Sequence, residues 1–152
     1  MSENTVVHSP EARLLAALAH GSIIIQGVGM LIGVVVYTNQ RDKSPYAAFQ
    51  ALQAAVYQLF AMFVVIGSWI VWTGCYMLSF IPLIPMLESD PDTLPPLFWI
   101  SMGSMIIPFG IMILVSLYGM IGAWQVWRGK DFRYAIFGRW LENSGMLNKK
   151  AS

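Results

Sequence analysis

The chain has 152 residues, of which 57% are hydrophobic and 11% charged, and its mean hydropathy is +0.60. Soluble domains carry roughly 25% charged residues, so this composition excludes an ordinary water-soluble globule and predicts an all-α integral membrane protein, a single membrane domain over residues 1–152. Nine Lys and Arg against eight Asp and Glu leave no basic field for nucleic acid, and one cysteine, Cys75, excludes an intramolecular disulfide or a cysteine-based metal site.

Ser9-Pro10-Glu11 reads as a helix start, with serine as N-cap, proline at the first helical position and an acid at the positive end of the dipole. The apolar run from Leu14 to Gln40 is about twice the ~7–15-residue core of a signal peptide, which predicts a retained first span over approximately residues 11–37. The next charge-free run, Ser44 to Leu87, predicts a second span over approximately 47–77, followed by a proline-rich outer loop, 79–96. Pro82, Pro85, Pro91, Pro95 and Pro96 crowd that loop, and a proline removes a helix hydrogen bond, so the helix is expected to stop near Leu78. The run is long enough for two spans, and four crossings are the alternative. Thr93 to Trp127 supplies a last span, approximately 98–127. Tyr37, Tyr46, Trp124 and Trp127 mark one interface, Tyr76 and Trp99 the other.

With three tilted transmembrane helices, Arg41, Lys43, Arg128, Lys130, Arg133, Arg139, Lys149 and Lys150 share one side and Arg13 stands on the other. The positive-inside rule then predicts a multi-pass protein of the bacterial plasma membrane, N-terminus outside and C-terminus cytoplasmic, with Glu88, Asp90 and Asp92 facing outward. In the cytoplasmic tail, 128–152, Phe132, Ile136, Phe137, Trp140 and Leu141 recur at helical spacing. This predicts an interfacial amphipathic helix closed by Gly145, with Arg128, Lys130 and Arg133 near anionic headgroups.

Small residues recur at four-residue spacing: Gly29 and Gly33, then Ala47, Ala51 and Ala55, then Gly119 and Ala123. Such seams let helix backbones approach closely in lipid, and they nominate these positions for helix packing. Gln50, Gln53 and Tyr57 project from one face of the second helix, with Gln58 beside it and His20 and Gln26 as candidate partners. A lipid-facing amide would forfeit its hydrogen bonds, so this polar intramembrane face belongs among headgroups, against another helix or along a polar groove.

His20 lies about two turns inside the first apolar run, and an intramembrane ionisable residue is a default functional-site hypothesis. Ala16 four residues earlier is similar to the pigment-ligating spacing of bacterial light-harvesting helices, which would place a tetrapyrrole at His20; the alternatives are a histidine bonding a neighbouring helix and another polar site. No other cofactor and no metal is predicted. No HExxH, paired intramembrane carboxylates, phosphate loop or Ser/His/Asp set can be placed, so catalysis is not expected.

The ordered set LAALAH, QRDKSPYAAFQALQAAVYQ and IGAWQVWRGKDFRY resembles a widespread family of small prokaryotic membrane proteins of unknown function. That family is distantly similar to the twenty-kilodalton membrane component of the chloroplast inner-envelope import machinery. The matching positions are His20, then Lys43, Ser44, Pro45, Ala51 and Gln53, then Gly122, Ala123, Gly129, Arg133 and Tyr134, and the likeness covers most of residues 12–141. The family's acid and histidine after the turn are replaced here by Tyr46, Ala47 and Ala48. The seams and tail predict a non-enzymatic accessory subunit that packs against lipid and other membrane subunits or itself. The resemblance implies, as an alternative, a component assisting polypeptide translocation or insertion; a pigment or haem scaffold on His20 is the third reading.

Overall fold

The computed structural model describes residues 8–89, 92, 94–138 and 141, and every regular element among them is helical. In chain order these are α1 (Pro10–Gly21), a 3-10 turn (Ser22–Ile24), α2 (Val28–Gln40), α3 (Pro45–Ser89), α4 (Pro96–Gly103) and α5 (Ile106–Trp127). The chain forms two compact units, Met1–Met62 with Ser116–Ser152, and Phe63–Val115. Two stretches, Pro45–Ser89 and Pro96–Trp127, are long and apolar enough to cross a membrane.

In the first unit, the run expected to form one span instead folds back as a helical hairpin. Ser9 caps α1 by accepting from Ala12 N–H, as its position before proline predicts. The helix ends at Gly21, and the chain reverses through Ser22–Gly27, where Gly27 adopts φ 84°, a left-handed conformation that costs a residue bearing a Cβ roughly 1–2 kcal/mol. Gly29 permits the reversal sterically, because a Cβ there would collide with the Ser22 carbonyl oxygen. Ser22 Oγ, shared between the carbonyls of Ala19 and Gly29 at 2.8 and 3.0 Å, ties the two arms. Ala19 of α1 and Val36 of α2 thereby enter one core with Ala51 and Ala54 of α3. Twelve residues of α1 rise only about 18 Å, too little for a hydrocarbon core of about 30 Å.

The hairpin also overturns the expected placement of Arg13 opposite the 41–46 turn. His8 stacks on Tyr46 with ring centroids 3.6 Å apart, and Arg13 lies against Gly129 just beyond α5. The start of α1, the turn into α3 and the chain after α5 therefore sit at one end of this unit. Ser44 closes that turn by accepting from Ala47 N–H at 3.3 Å.

Small residues line the helix contacts here. Ala47 and Ala51 are fully buried and Ala55 nearly so, and a Cβ on Gly33 would lie 3.0 Å from Ala55 Cβ. Gly119 receives the Ile23 side chain, and Ala123 faces Gly21. Of the three seams, Gly33 meets Ala51 and Ala55, Gly119 and Ala123 meet the end of α1 and its turn, Ala47 is buried, and Gly29 meets the turn of its own hairpin.

The stretch directly after α5 departs from the expected helix as well. Lys130 to Tyr134 is irregular, with Asp131 and Arg133 exposed and Phe132 and Tyr134 buried. Helical spacing of the aromatics suggested an interfacial helix, but alternate burial is a period of two, the signature of extended chain. Phe132 is therefore packed inside the unit and does not rest on headgroups. Phe137 reaches Phe60 of α3 at 5.2 Å, while Arg139, Trp140, Glu142 and Gly145 lie outside the described residues.

Within the second unit, α3 continues through Pro82 and Pro85 to Ser89 where a stop near Leu78 was expected. A proline removes its own donor and crowds the preceding turn but leaves the neighbouring backbone bonds available, and here the helix runs on to Ser89. Trp69, Trp72, Tyr76 and Phe80 form a ladder of ring contacts along α3, and Trp72 Nε1 donates to Ser104 Oγ at 3.0 Å. The last expected span is interrupted at Ser104-Met105, because Pro108 cannot donate to the Ser104 carbonyl.

Candidate functional site

The three glutamines of α3 are buried, and each finds partners inside the first unit. Gln50 and Gln53 stand one turn apart with no exposed surface, facing α1 on one side and the irregular tail on the other. Gln53 Nε2 donates to Gln50 Oε1 at 2.6 Å and to the Phe132 carbonyl at 2.7 Å, while its own Oε1 accepts from Tyr134 N–H at 3.4 Å. Side-chain amides here replace the backbone partners that residues 130–134, being neither helix nor sheet, would otherwise lack.

Gln50 is the hub. Its Nε2 donates to Asp131 Oδ1 at 2.7 Å, which turns its Oε1 toward His20 Nε2 at 3.0 Å. An amide oxygen only accepts, so the His20 proton lies on Nε2, and Nδ1 accepts from the Tyr134 hydroxyl at 3.0 Å. The result is a directed chain in which Tyr134 donates to His20, His20 to Gln50, and Gln50 to the Asp131 carboxylate. Burial first, then the neighbouring phenols of Tyr57 and Tyr118, push the Tyr134 hydroxyl far above the usual phenol range, so it remains a donor. Asp131 also receives Arg133 at 3.0 Å, on the exposed side.

Aromatic rings wall this chain off. Tyr134 stacks on Tyr57 at 4.1 Å, Phe132 meets His20 edge-on at 5.6 Å, and Tyr118 of α5 packs against both Phe132 and Tyr134. Gly122 makes room for them, since a Cβ there would stand 2.7 Å from the Phe132 ring and 3.3 Å from His20 Nδ1. Deeper along α3, Gln58 Nε2 donates to the Ala19 carbonyl at 2.7 Å and to Ser22 Oγ at 3.2 Å, bracing the hairpin turn.

The structure thus gathers His20, Gln50, Gln53 and Tyr57, and leaves Gln26 exposed at the hairpin tip. Of the tail residues, Arg128 lies over the Trp124 ring at 4.4 Å, Lys130 and Arg133 are exposed, and Phe132 is interior. Sequence reading passed over Asp131 and Tyr134 as members of the polar cluster. The signal was the alternation in Asp131-Phe132-Arg133-Tyr134 directly after an apolar helix, obscured by reading the tail at helical period. Ser22 was missed too, because the hairpin that brings it to Gln58 was not foreseen.

The cluster is buried from Tyr134 to Gln50 and reaches the surface at Asp131. Both His20 nitrogens are occupied by hydrogen bonds, and among the described residues no group of three or more His, Cys, Asp or Glu could hold a metal ion. The cluster's hydrogen bonds join the chain after α5 to α1 and α3.

The family model of the magnetosome magnetite crystal formation proteins matches residues 11–141. That stretch runs from α1 to the last described residue, so it contains every member of the polar cluster. No curated protein and no solved structure matches the chain.

Proposed function

This chain belongs to the magnetosome magnetite crystal formation protein family, and from that premise we propose that it is a non-enzymatic membrane accessory protein that presents a carboxylate loop to growing mineral. Two crossings, α3 and α4 with α5, anchor it, while the α1–α2 hairpin enters the bilayer from one side and returns. The outer faces of the hairpin support this, since Leu14, Leu18, Leu31, Val34 and Val35 are exposed and apolar.

The observation that carries the reading is the segregation of charge under this topology. All nine Lys and Arg fall on the side of the termini and the 41–46 turn, while the other side holds Glu88, Asp90 and Asp92 and no cation. The positive-inside rule then makes the basic side cytoplasmic, N-terminus included, and the acidic loop non-cytoplasmic. Carboxylates are hard oxygen donors suited to iron at an oxide surface. Glu88 and Asp92 are exposed.

The polar cluster serves as the lock that keeps the cytoplasmic tail folded. A role in moving polypeptides would need an open polar path, and Gln50 and Gln53 are sealed behind Phe132 and Tyr134. A tetrapyrrole at His20 would have to displace Gln50 or Tyr134.

The test is complementation of a deletion strain with Glu88→Gln, Asp90→Asn and Asp92→Asn combined, scored by electron microscopy of crystal dimensions. The expected outcome is a size distribution matching the deletion, with the variant present in membranes at the wild-type level. Crystals of wild-type dimensions from the triple variant would refute the carboxylate assignment.

A further inference from the structure

An apolar groove of about 640 Å³ opens on the first unit along α1, bounded by Ala17, Leu18, Gly21, Ile25 and Ile32, with Met120 of α5 on its rim. That volume is within the roughly 300–1,000 Å³ of small-molecule sites. Arg13, Ala17 and Gly21 follow one another at four-residue steps, so a cation stands on the same stripe of α1, about 6 Å below the groove floor.

The cationic end is unusually free of counter-charge. Arg13 lies along the turn after α5, its Nη1 3.0 Å from where a Cβ on Gly129 would be, and its Nε is buried without a hydrogen-bond partner. Gly129 sits between Arg128 and Lys130 in the chain. Among the described residues no carboxylate pairs with Arg13, Arg128 or Lys130, since Asp42 is taken by Arg41 and Asp131 by Gln50 and Arg133. Arg128 rests on the exposed Trp124 ring, and tryptophan at this position is typical of the headgroup level.

An apolar groove on the same α1 stripe as Arg13, which lies against Gly129 between Arg128 and Lys130 in the chain, has the polarity of one phospholipid. We propose that this groove is a binding site for a single anionic phospholipid, an acyl chain lying along Ala17, Leu18 and Gly21 and the phosphate held at Arg13 with Arg128 and Lys130. A free phosphate would leave the groove empty. A helix from a second copy would bring no anion to Arg13, because the acids of this chain all lie outside its long apolar runs.

The proposal rests on membrane embedding of the hairpin but not on the acidic loop. Carbonate extraction of membranes comes first, since release of the chain as a soluble protein would defeat the embedding itself. The full chain, purified in mild detergent, is then examined by native mass spectrometry and by thermal melting after addition of phosphatidylglycerol, phosphatidylcholine or inorganic phosphate. One equivalent of phosphatidylglycerol should be retained and should raise the melting temperature, with phosphatidylcholine and phosphate ineffective. Arg13→Gln should weaken retention about fivefold, as loss of one basic contact implies, and Arg13→Lys should largely restore it. Ala17→Trp, which fills the groove and leaves the cations in place, should abolish retention of the chain-bearing lipid. Equal retention of the two lipids, or unchanged retention in both Arg13→Gln and Ala17→Trp, would overturn the proposal. Stabilisation by phosphate alone equal to that by phosphatidylglycerol would assign the cluster to a free anion and overturn it as well.

Discussion

Gln50 shows how much of this fold rests on single polar side chains in apolar surroundings. It has no exposed surface and contacts Asp131, His20 and Gln53 at once, so removing it strands His20 Nε2 and takes one bond each from Gln53, which keeps the Phe132 carbonyl, and Asp131, which keeps Arg133. A buried polar group left without a partner costs about 1–3 kcal/mol, which predicts a loss of roughly 2–5 kcal/mol in Gln50→Leu after partial relaxation. Gln26→Leu, at the exposed hairpin tip, is the control. Thermal melting of the two variants in detergent should show a large fall for the first and little change for the second; equal melting would mean that the cluster adds no stability. The residue types of this cluster were legible in the sequence, since His20, Gln50 and Gln53 are conspicuous among alanines. Their partners were not, because Asp131 and Tyr134 lie 81 and 114 positions away along the chain.

Helix existence was easier to read than helix course. The apolar run of the hairpin satisfies every criterion for a span by length and hydropathy, yet Gly27 and Gly29 let it reverse, and Ser22 and Gln58 satisfy the polar groups exposed by the reversal. A hydropathy window averages over those few residues and therefore cannot see the bend. Gly29→Val places side-chain carbons on the Ser22 carbonyl, and overpacking of this kind costs typically 1–3 kcal/mol. Cysteines at His8 and Tyr46, whose rings stack at 3.6 Å, report the hairpin in a Cys75→Ser background. A short bifunctional thiol reagent should join them efficiently with Gly29 present and poorly with valine there. Failure to crosslink in either case would favour the straight span. The prolines of α3 teach the converse: Pro82 and Pro85 look like terminators, but a helix in apolar surroundings tolerates a missing donor better than it tolerates unpaired backbone.

At the scale of the whole molecule, folding back α1 and α2 changes which charges share a side. A single first span would leave Arg13 opposite the other eight cations, whereas the topology proposed above would put all nine on one side and Glu88, Asp90 and Asp92 on the other. An impermeant thiol reagent applied to cells should therefore spare Ser9→Cys and Lys130→Cys and label Glu88→Cys, each in a Cys75→Ser background. Inverted vesicles should give the opposite pattern. Labelling Ser9→Cys and Lys130→Cys from different sides would restore the single-span topology and detach the acidic loop from the orientation proposed for it.

Composition and hydropathy alone determined that the chain is helical and carries helices apolar enough for a bilayer, because those properties add up residue by residue. The small-residue seams belong to the same class, since four-residue spacing on a helix defines a face before any partner is known. Tertiary structure alone decided that the first run turns back, that Phe132 and Tyr134 after α5 are interior, and that Tyr134, His20, Gln50 and Asp131 form one directed series of hydrogen bonds. Each of these depends on where a buried donor finds its acceptor, and in this protein the acceptor comes from the other end of the sequence.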